Sequence, residues 1–316
     1  MPEQLLNRPT TQISLDNLEE LTEFATEYVL TRPIYKSRNT SIVTAVHPEF
    51  PGVVAVKFST ELERLENEAK AGELTAETPE VVDILDTCID TTTNLGYVVT
   101  PYTFSDLHKG LQDLRTLKSR TTVARDMARG LSAIHRENLV HRDVKPENVF
   151  LSGGGGKPAV LGDLGIVCEN GHPTNMYSDK ELGVLPYPDV TASGKTKLTP
   201  NWASPEQYNV GSITAKSDIF NLGLLISYII MGVNPYDKAF KSVIYASVPE
   251  RKRHAIDHLY VVDEVENYAE YLPKIALDHQ RKAIRDLLGK CLSVDPTDRP
   301  DIDETIFALD SALSKV

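Results

Sequence analysis

The sequence predicts an α+β, bilobal fold: a small β-rich half with one main helix, followed by a larger helical half. Three observations carry that expectation. Before Tyr102 the apolar residues fall in short runs rich in Val, Ile, Thr and Tyr, broken by turn residues. After Tyr102 they recur at intervals of three and four, the period of a helix. A chain of 316 residues is also longer than one small core usually needs. The expected divisions are an N-terminal extension over 1–27, a β-rich lobe over 28–102 and a helical lobe over 103–316. The hinge falls near Pro101 to Thr103, and ligands often sit at such junctions.

Each element has its own reason. In the extension Asp16 can cap a helix, Glu19 completes a capping box, and Leu18, Leu21, Ala25 and Tyr28 share one face. Strands are expected over Tyr28 to Ile34, Ser41 to Val46 and Val53 to Phe58, with turn residues from His47 to Gly52. Leu62 to Leu74 reads as a charged helix. Val81 to Leu85 and Leu95 to Thr100 read as two further strands. In the second half Val123, Met127, Leu131 and Ile134 place a helix over Thr121 to His135. Val149 to Leu151 and Ala159 to Leu161 predict a hairpin joined across Ser152 to Pro158. The glycine run Gly153 to Gly156 in that turn precedes Lys157 but lacks the hydroxyl residue of a Walker loop, which excludes that reading. From Ser217 onward the pattern is helical, and Leu222 to Val233 has the length of a buried core helix, too short for a membrane span.

Composition removes several function classes. The 33 basic and 45 acidic residues leave a net charge of −12, which repels nucleic-acid backbones and anionic membranes, so nucleic acid is not an expected partner. Cys88, Cys168 and Cys291 lie far apart with no metal spacing, which points to a reducing compartment without disulfides or structural zinc. The first twelve residues lack the basic start and apolar run of a secretory leader. A soluble, cytoplasmic protein is expected.

The strongest chemical pattern is His141-Arg142-Asp143-Val144-Lys145-Pro146-Glu147-Asn148, followed by the apolar Val149-Phe150-Leu151. With Asp163-Leu164-Gly165 after the hairpin, it resembles the catalytic core of eukaryotic-type Ser/Thr protein kinases, over roughly residues 28 to 313. Phosphoryl transfer asks a protein mainly for positioning and charge neutralisation. On that resemblance Asp143 accepts the proton of the attacking hydroxyl and Lys145 neutralises the moving phosphoryl group. Asn148 and Asp163 are the oxygen donors for Mg²⁺, a hard cation that keeps several waters. The family's cofactors are ATP and Mg²⁺, its partners are protein substrates, and the lysine two residues after Asp143 implies Ser/Thr specificity. His141 reads as a packing, hydrogen-bonding residue and not a base.

Further positions follow from the same resemblance. Val54-Ala55-Val56-Lys57 matches the third strand, with Lys57 reaching the nucleotide phosphates. Its glutamate partner is Glu68, with Glu66 as the second choice. Four residues past Glu68 the family packs an apolar side chain, where this chain has Gly72. Ile34 and Ile42 roof the adenine, Ala55 lines it, Phe150 floors it, Thr100 is the gatekeeper, and Pro101 and Tyr102 offer hinge backbone groups. Thr199-Pro200-Asn201-Trp202-Ala203-Ser204-Pro205-Glu206 matches the close of an activation segment, with Ser204 where alanine is usual. Glu206 is expected to pair with buried Arg299, and Asp218 to clamp the catalytic loop's backbone. Arg142 is placed to pair with a phosphate on the activation segment, where Thr191, Ser193 and Thr196 are the expected autophosphorylation sites.

One departure bears on function. The family's glycine-rich phosphate loop corresponds here to Ile34-Tyr35-Lys36-Ser37-Arg38-Asn39-Thr40-Ser41-Ile42, with Tyr35, Ser37 and Thr40 in the glycine positions. Glycine permits positive φ and close backbone approach, so nucleotide affinity is in question, although Lys36 and Arg38 bring compensating charge. Two alternatives stand beside the protein-kinase reading, the first on the glycine-free loop and the second against the Lys145, Glu206 and Arg299 set. One is a pseudokinase acting as a nucleotide-binding or scaffold module; the other is a small-molecule kinase of related fold.

Overall fold

The computed structural model describes residues 13–103, 105–151, 158–173, 199–208, 212–232, 234 and 278–314. The chain divides into two compact units. One runs to Glu77 and includes Val82–Tyr102; the other comprises Thr78–Val81 and everything from Thr103.

The first unit is built on a five-stranded antiparallel sheet. Its strands are β1 (Val29–Lys36), β2 (Thr40–His47), β3 (Phe50–Ser59), β4 (Asp86–Asp90) and β5 (Leu95–Pro101), in the spatial order β1-β2-β3-β5-β4. Alternate residues point to opposite faces. Val43, Ala45, Val54, Val56, Phe58, Tyr97 and Val99 form one apolar face, and helix α1 (Leu18–Phe24) lies over it with Leu21, followed by Ala25 and Tyr28. Phe24, Tyr28 and Phe58 each meet the Tyr97 ring edge-on, with centroids 5.8–6.1 Å apart. The extension is thus part of the small unit's core.

Helix α1 begins one residue later than the sequence pattern suggested. Asn17, not Asp16, is the cap, its side chain accepting from the Glu19 amide at 3.1 Å. The reason is the turn before it: the Asn17 amide donates to the Ser14 carbonyl, and the Glu20 carboxylate accepts from the Ser14 amide. Leu18 consequently faces outward, while Asp16 pairs with Lys36.

On the opposite face of the sheet lies α2 (Leu62–Leu74). A Cβ at Gly96 would stand 2.7 Å from the Cys88 carbonyl and 2.9 Å from Leu65 Cδ1, so glycine lets the helix sit down on β5. At Gly72 a Cβ would meet Ile84 Cγ1 at 2.1 Å. Ile84 fills the space beside Gly72. The run Val81 to Leu85 is not a strand. Val81 makes a single parallel bridge to Leu161 within the second unit, and the sheet strand is the more polar Asp86–Asp90. Apolar content there reported burial, since Val81 and Val82 are both buried, and not pairing.

In the second unit α3 (Leu107–Gly110) leads to α4 (Leu117–Arg136), which opens on a Thr116–Ser119 capping box. Three two-stranded pairs follow: β6 (Leu139–Val140) with β9 (Cys168–Glu169), β7 (Val149–Phe150) with β8 (Val160–Leu161), and β10 (His172–Pro173) with β11 (Ser212–Ile213). The expected 149–161 hairpin is therefore present, its glycine turn lying outside the described residues. After the short α5 (Pro205–Tyr208), helix α6 (Ala215–Met231) starts on a Thr214–Ser217 capping box and ends at Gly232, whose φ of 75° suits a residue without a Cβ. Phe220, Leu222, Leu224, Leu225, Ile226, Ile229 and Ile230 make α6 buried almost all round. It packs between α4 and α7 (Asp278–Cys291), and α8 (Ile302–Leu313) lies on α4 and α7. Among the described residues no helix is long and apolar enough to cross a membrane.

A buried ion pair ties these helices together. Arg299 donates from Nη1 and Nη2 to the two Glu206 oxygens at 2.6 and 3.0 Å, and also to the carbonyls of Lys216, Ser293 and Val294. Its guanidinium stands 4.9 Å above the Phe220 ring. Burial would raise the Glu206 carboxyl, but the hydrogen bonds and charge of Arg299 outweigh it and hold the group below the usual carboxylate range.

Two stability experiments follow. Leu21 is 1% exposed beneath the sheet, so Leu21→Ala should cost about 2–5 kcal/mol in urea unfolding, showing that α1 is structural. Because the folded state holds the Glu206 carboxyl low, its stabilisation is present at neutral pH and fades as pH falls below the ordinary glutamate range. Glu206→Gln, which strands the Arg299 charge, should cost about 3–5 kcal/mol at pH 7. The gap from the unsubstituted protein should narrow in acid unfolding curves.

Candidate active site

Helix α4 ends at Arg136, and strand β6 delivers the chain to His141. The next two residues are fixed from α6. Asp218, fully buried in its first turn, accepts from the His141 amide at 2.7 Å and the Arg142 amide at 2.8 Å, while His135 Nε2 approaches the same carboxylate at 2.9 Å. Buried backbone N–H groups need partners, and a carboxylate that takes two of them sets the direction of the chain. His141 completes the frame. Its Nδ1 accepts from the Asp143 amide at 3.2 Å, which leaves Nε2–H to donate to the Gly162 carbonyl at 3.2 Å. Both nitrogens of this fully buried ring are engaged with backbone groups.

Asp143 then stands at the centre of three donors. Lys145 Nζ donates to its Oδ2 at 2.6 Å, Asn148 Nδ2 to the same oxygen at 3.1 Å, and the Thr199 hydroxyl to Oδ1 at 2.8 Å. Lys145 also donates to Thr199 Oγ1 at 3.0 Å. A hydroxyl that donates to a carboxylate is placed as an alcohol must be for that carboxylate to take its proton. The Asn148 amide turns its NH₂ to the carbonyl and carboxylate of Asp143, leaving Oδ1 as an available oxygen. Across the β7–β8 pair the Gly162 amide donates to the Asn148 carbonyl at 2.9 Å. That bond brings Asp163, with its left-handed φ of 60°, alongside Asn148. One amide oxygen and one carboxylate are the hard oxygen donors that Mg²⁺ takes. Among the described residues no cluster of three His, Cys, Asp or Glu offers a different metal site.

In the first unit Lys57 Nζ donates to Glu68 Oε2 at 2.9 Å, with Glu68 almost wholly buried; Glu66 points to solvent. Cross-strand register aligns Ile42 with Lys57 and Thr44 with Ala55 and Thr100, so these residues share the sheet face opposite α1. Ile34 is partly exposed beside a register shift in β1. Tyr102 donates its amide to the Val53 carbonyl at 3.1 Å, and Pro101 pairs with Val54, so these hinge positions are partly engaged by β3. Phe150 is half-buried in β7.

The glycine-free turn has a simple geometry. The Ser37 amide donates to the Thr40 carbonyl at 2.8 Å, while the Asn39 carbonyl accepts from the Ser59 hydroxyl at 2.9 Å and the Thr60 amide at 3.1 Å. No residue from Ile34 to Ile42 has positive φ, so side chains at the three glycine positions cost no backbone strain. Lys36 pairs with Asp16, on the extension's side of the sheet.

Arg142 is 3% exposed, and its Nη1 donates to the Ile166 carbonyl at 3.0 Å. Thr191, Ser193 and Thr196 lie outside the described residues. Two contributors escaped sequence reading. Thr199 stands 56 positions from Asp143, and Gln207 donates to the Arg142 carbonyl from 65 positions away. Neither separation leaves a local pattern to read.

Comparison with known proteins agrees with this geometry. The family model described as the protein kinase domain matches residues 39–308. The calcium and calcium/calmodulin-dependent serine/threonine-protein kinase of Lotus japonicus is 26% identical over 231 residues, covering 72% of this chain and 38% of that protein. The receptor-like kinase TMK4 of Arabidopsis thaliana is 27% identical over 216 residues, covering 63% of this chain and 20% of that protein. Serine/threonine-protein kinase 16 of Homo sapiens is 29% identical over 196 residues, covering 58% and 53%. The chain thus spans between a fifth and about half of these relatives. With a buried carboxylate fixing the catalytic loop, a Lys–Asp–Thr cluster beyond it and a family match over most of its length, the chain belongs to the protein kinase domain family.

Proposed function

We propose that this chain is a Ser/Thr protein kinase, transferring the γ-phosphoryl group of ATP to hydroxyl groups of protein substrates. The observation that carries the reading is the cluster around Asp143, where Lys145 and Thr199 define a hydroxyl position beside a carboxylate. In the proposed reaction Asp143 accepts the proton of the incoming hydroxyl as its oxygen attacks the γ-phosphorus. Lys145, already 2.6 Å from Asp143, neutralises charge on the phosphoryl group as the bond to the β-phosphate oxygen breaks and ADP leaves. Asn148 Oδ1 and the Asp163 carboxylate would hold Mg²⁺, which screens the phosphate charge when bound. In the first unit Lys57, steadied by Glu68, is the proposed cation for the nucleotide's phosphates. Ile34, Ile42, Ala55, Thr100 and the Pro101–Tyr102 segment, with Phe150, are the proposed nucleotide-contacting residues.

Regulation by autophosphorylation at Thr191, Ser193 or Thr196 belongs to the same proposal. Phosphosite mapping after incubation with ATP–Mg²⁺ tests it, and full activity without phosphate in that stretch would count against it. The acidic charge balance and separated thiols support cytoplasmic protein acceptors.

The activity itself is tested by paired substitutions. Asp143→Asn should lower phosphoryl transfer to a generic protein acceptor by about 10²-fold or more while nucleotide binding, followed by fluorescence titration, is retained. Asp163→Ala should weaken Mg²⁺–ATP binding as well as rate. Turnover of Asp143→Asn at the unsubstituted rate would end the protein-kinase reading. Nucleotide binding without any transfer by the unsubstituted chain would favour the pseudokinase.

A further inference from the structure

The peptide unit that carries the Arg142 carbonyl and the Asp143 amide orients the proposed catalytic base, and it sits in an unusual conformation. Arg142 has φ of 71°, a region non-glycine residues seldom enter, and only 3% of the residue is exposed. A strained, buried residue persists where its surroundings over-determine it. The two N–H groups of this turn are accounted for: Asp218 takes the Arg142 amide, and His141 Nδ1 takes that of Asp143. The Arg142 carbonyl also needs a partner. It receives the Gln207 side-chain amide at 2.9 Å.

Gln207 is itself 5% exposed and used at both ends. Its Oε1 accepts from the Ser204 backbone amide at 2.8 Å and from Asn221 Nδ2 at 3.0 Å. One side-chain amide therefore joins the segment that carries Thr199, helix α6 and the peptide leading into Asp143. Asn221 lies three residues after Asp218 on α6, so both clamps on the turn start from the same helix. The task needs a donor and an acceptor on one flat group of this length. A glutamate keeps the acceptor but, when ionised, sets an oxygen against the Arg142 carbonyl; a methionine keeps the volume and loses both.

We infer that Gln207 is a positioning residue for phosphoryl transfer: it holds the Arg142–Asp143 peptide plane, and with it the aim of the Asp143 carboxylate, while tying that aim to the end of the Thr199–Glu206 segment. The inference rests on the protein-kinase reading above. It predicts a specific split, because the orientation of a base affects the transition state and leaves remote nucleotide binding alone.

The experiment compares Gln207→Glu and Gln207→Met with the unsubstituted full chain in three measurements: kcat and KM for ATP with a generic protein acceptor, thermal midpoint, and hydrogen exchange by mass spectrometry. Both variants should lower kcat about 10-fold or more, with KM for ATP changed less than about 2-fold. Amides in the peptide spanning His141 to Val144 should exchange faster, while those in the middle of α6 keep their rates. If the buried carboxylate stops Gln207→Glu from folding, Gln207→Met carries the test alone. Unchanged kcat and unchanged exchange at His141–Val144 in a folded variant would overturn the inference. So would a kcat loss accompanied by faster exchange throughout α6, which would mark a general loosening. Should the unsubstituted chain transfer no phosphoryl group, the kinase reading fails, and the exchange measurement still decides whether Gln207 holds the turn.

Discussion

Asp218 places one buried carboxylate where two backbone amides of a strained turn must find acceptors. A charge without solvent is costly unless it is well hydrogen-bonded, and Asp218 is bonded by three groups, counting His135. The dependence runs both ways. The turn is held because the carboxylate is there, and the carboxylate is tolerated in the core because the turn offers it donors. It keeps its place because α6 is apolar nearly all round and is wedged between α4 and α7. The core helix and the chemistry are thus one construction, with packing on α6 translated into the direction of the residues from His141 to Asp143.

The small unit works on a different constraint. Its sheet carries α1 with its following residues on one face, and α2 lies on the other over β4 and β5. Two glycines regulate how closely α2 can approach, and the Lys57–Glu68 pair spans the joint between helix and strand. A lysine on a strand with a nearly buried glutamate opposite has little freedom to wander, which is the property a phosphate-binding cation needs.

Much of this was legible in the sequence, and the reasons differ from place to place. Helix α2 spans Leu62–Leu74 as its pattern suggests, because charged residues alternate with a narrow apolar stripe between clear boundaries. The residues from His141 to Asn148 and Asp163 were legible because tight loops place side chains through local spacing. Legibility failed where the decisive contact was remote. Val81 to Leu85 looks like a strand, yet Val81 belongs with Leu161 in the other unit. At short range too a competing bond can decide: Asp16 looks like a cap, yet Ser14 and Glu20 shift the helix start to Asn17. Thr199 and Gln207 reach the catalytic loop across more than fifty residues, which no periodicity can reveal.

The cover that α1 lays over the sheet has a consequence for how the domain should be delimited. The family match begins at Asn39, within the turn that joins β1 to β2. A recombinant fragment cut at that point would lose an edge strand together with the helix, and with them Leu21, Ala25 and Tyr28. Val43, Ala45, Val54 and Val56 would then face water as one continuous apolar surface, beside the unpaired hydrogen-bonding groups of β2. Such an edge is a template for association with other chains. The segment that the family model matches and the segment that can fold alone are therefore different stretches of this chain, and the second begins no later than the residues that pack α1 onto the sheet.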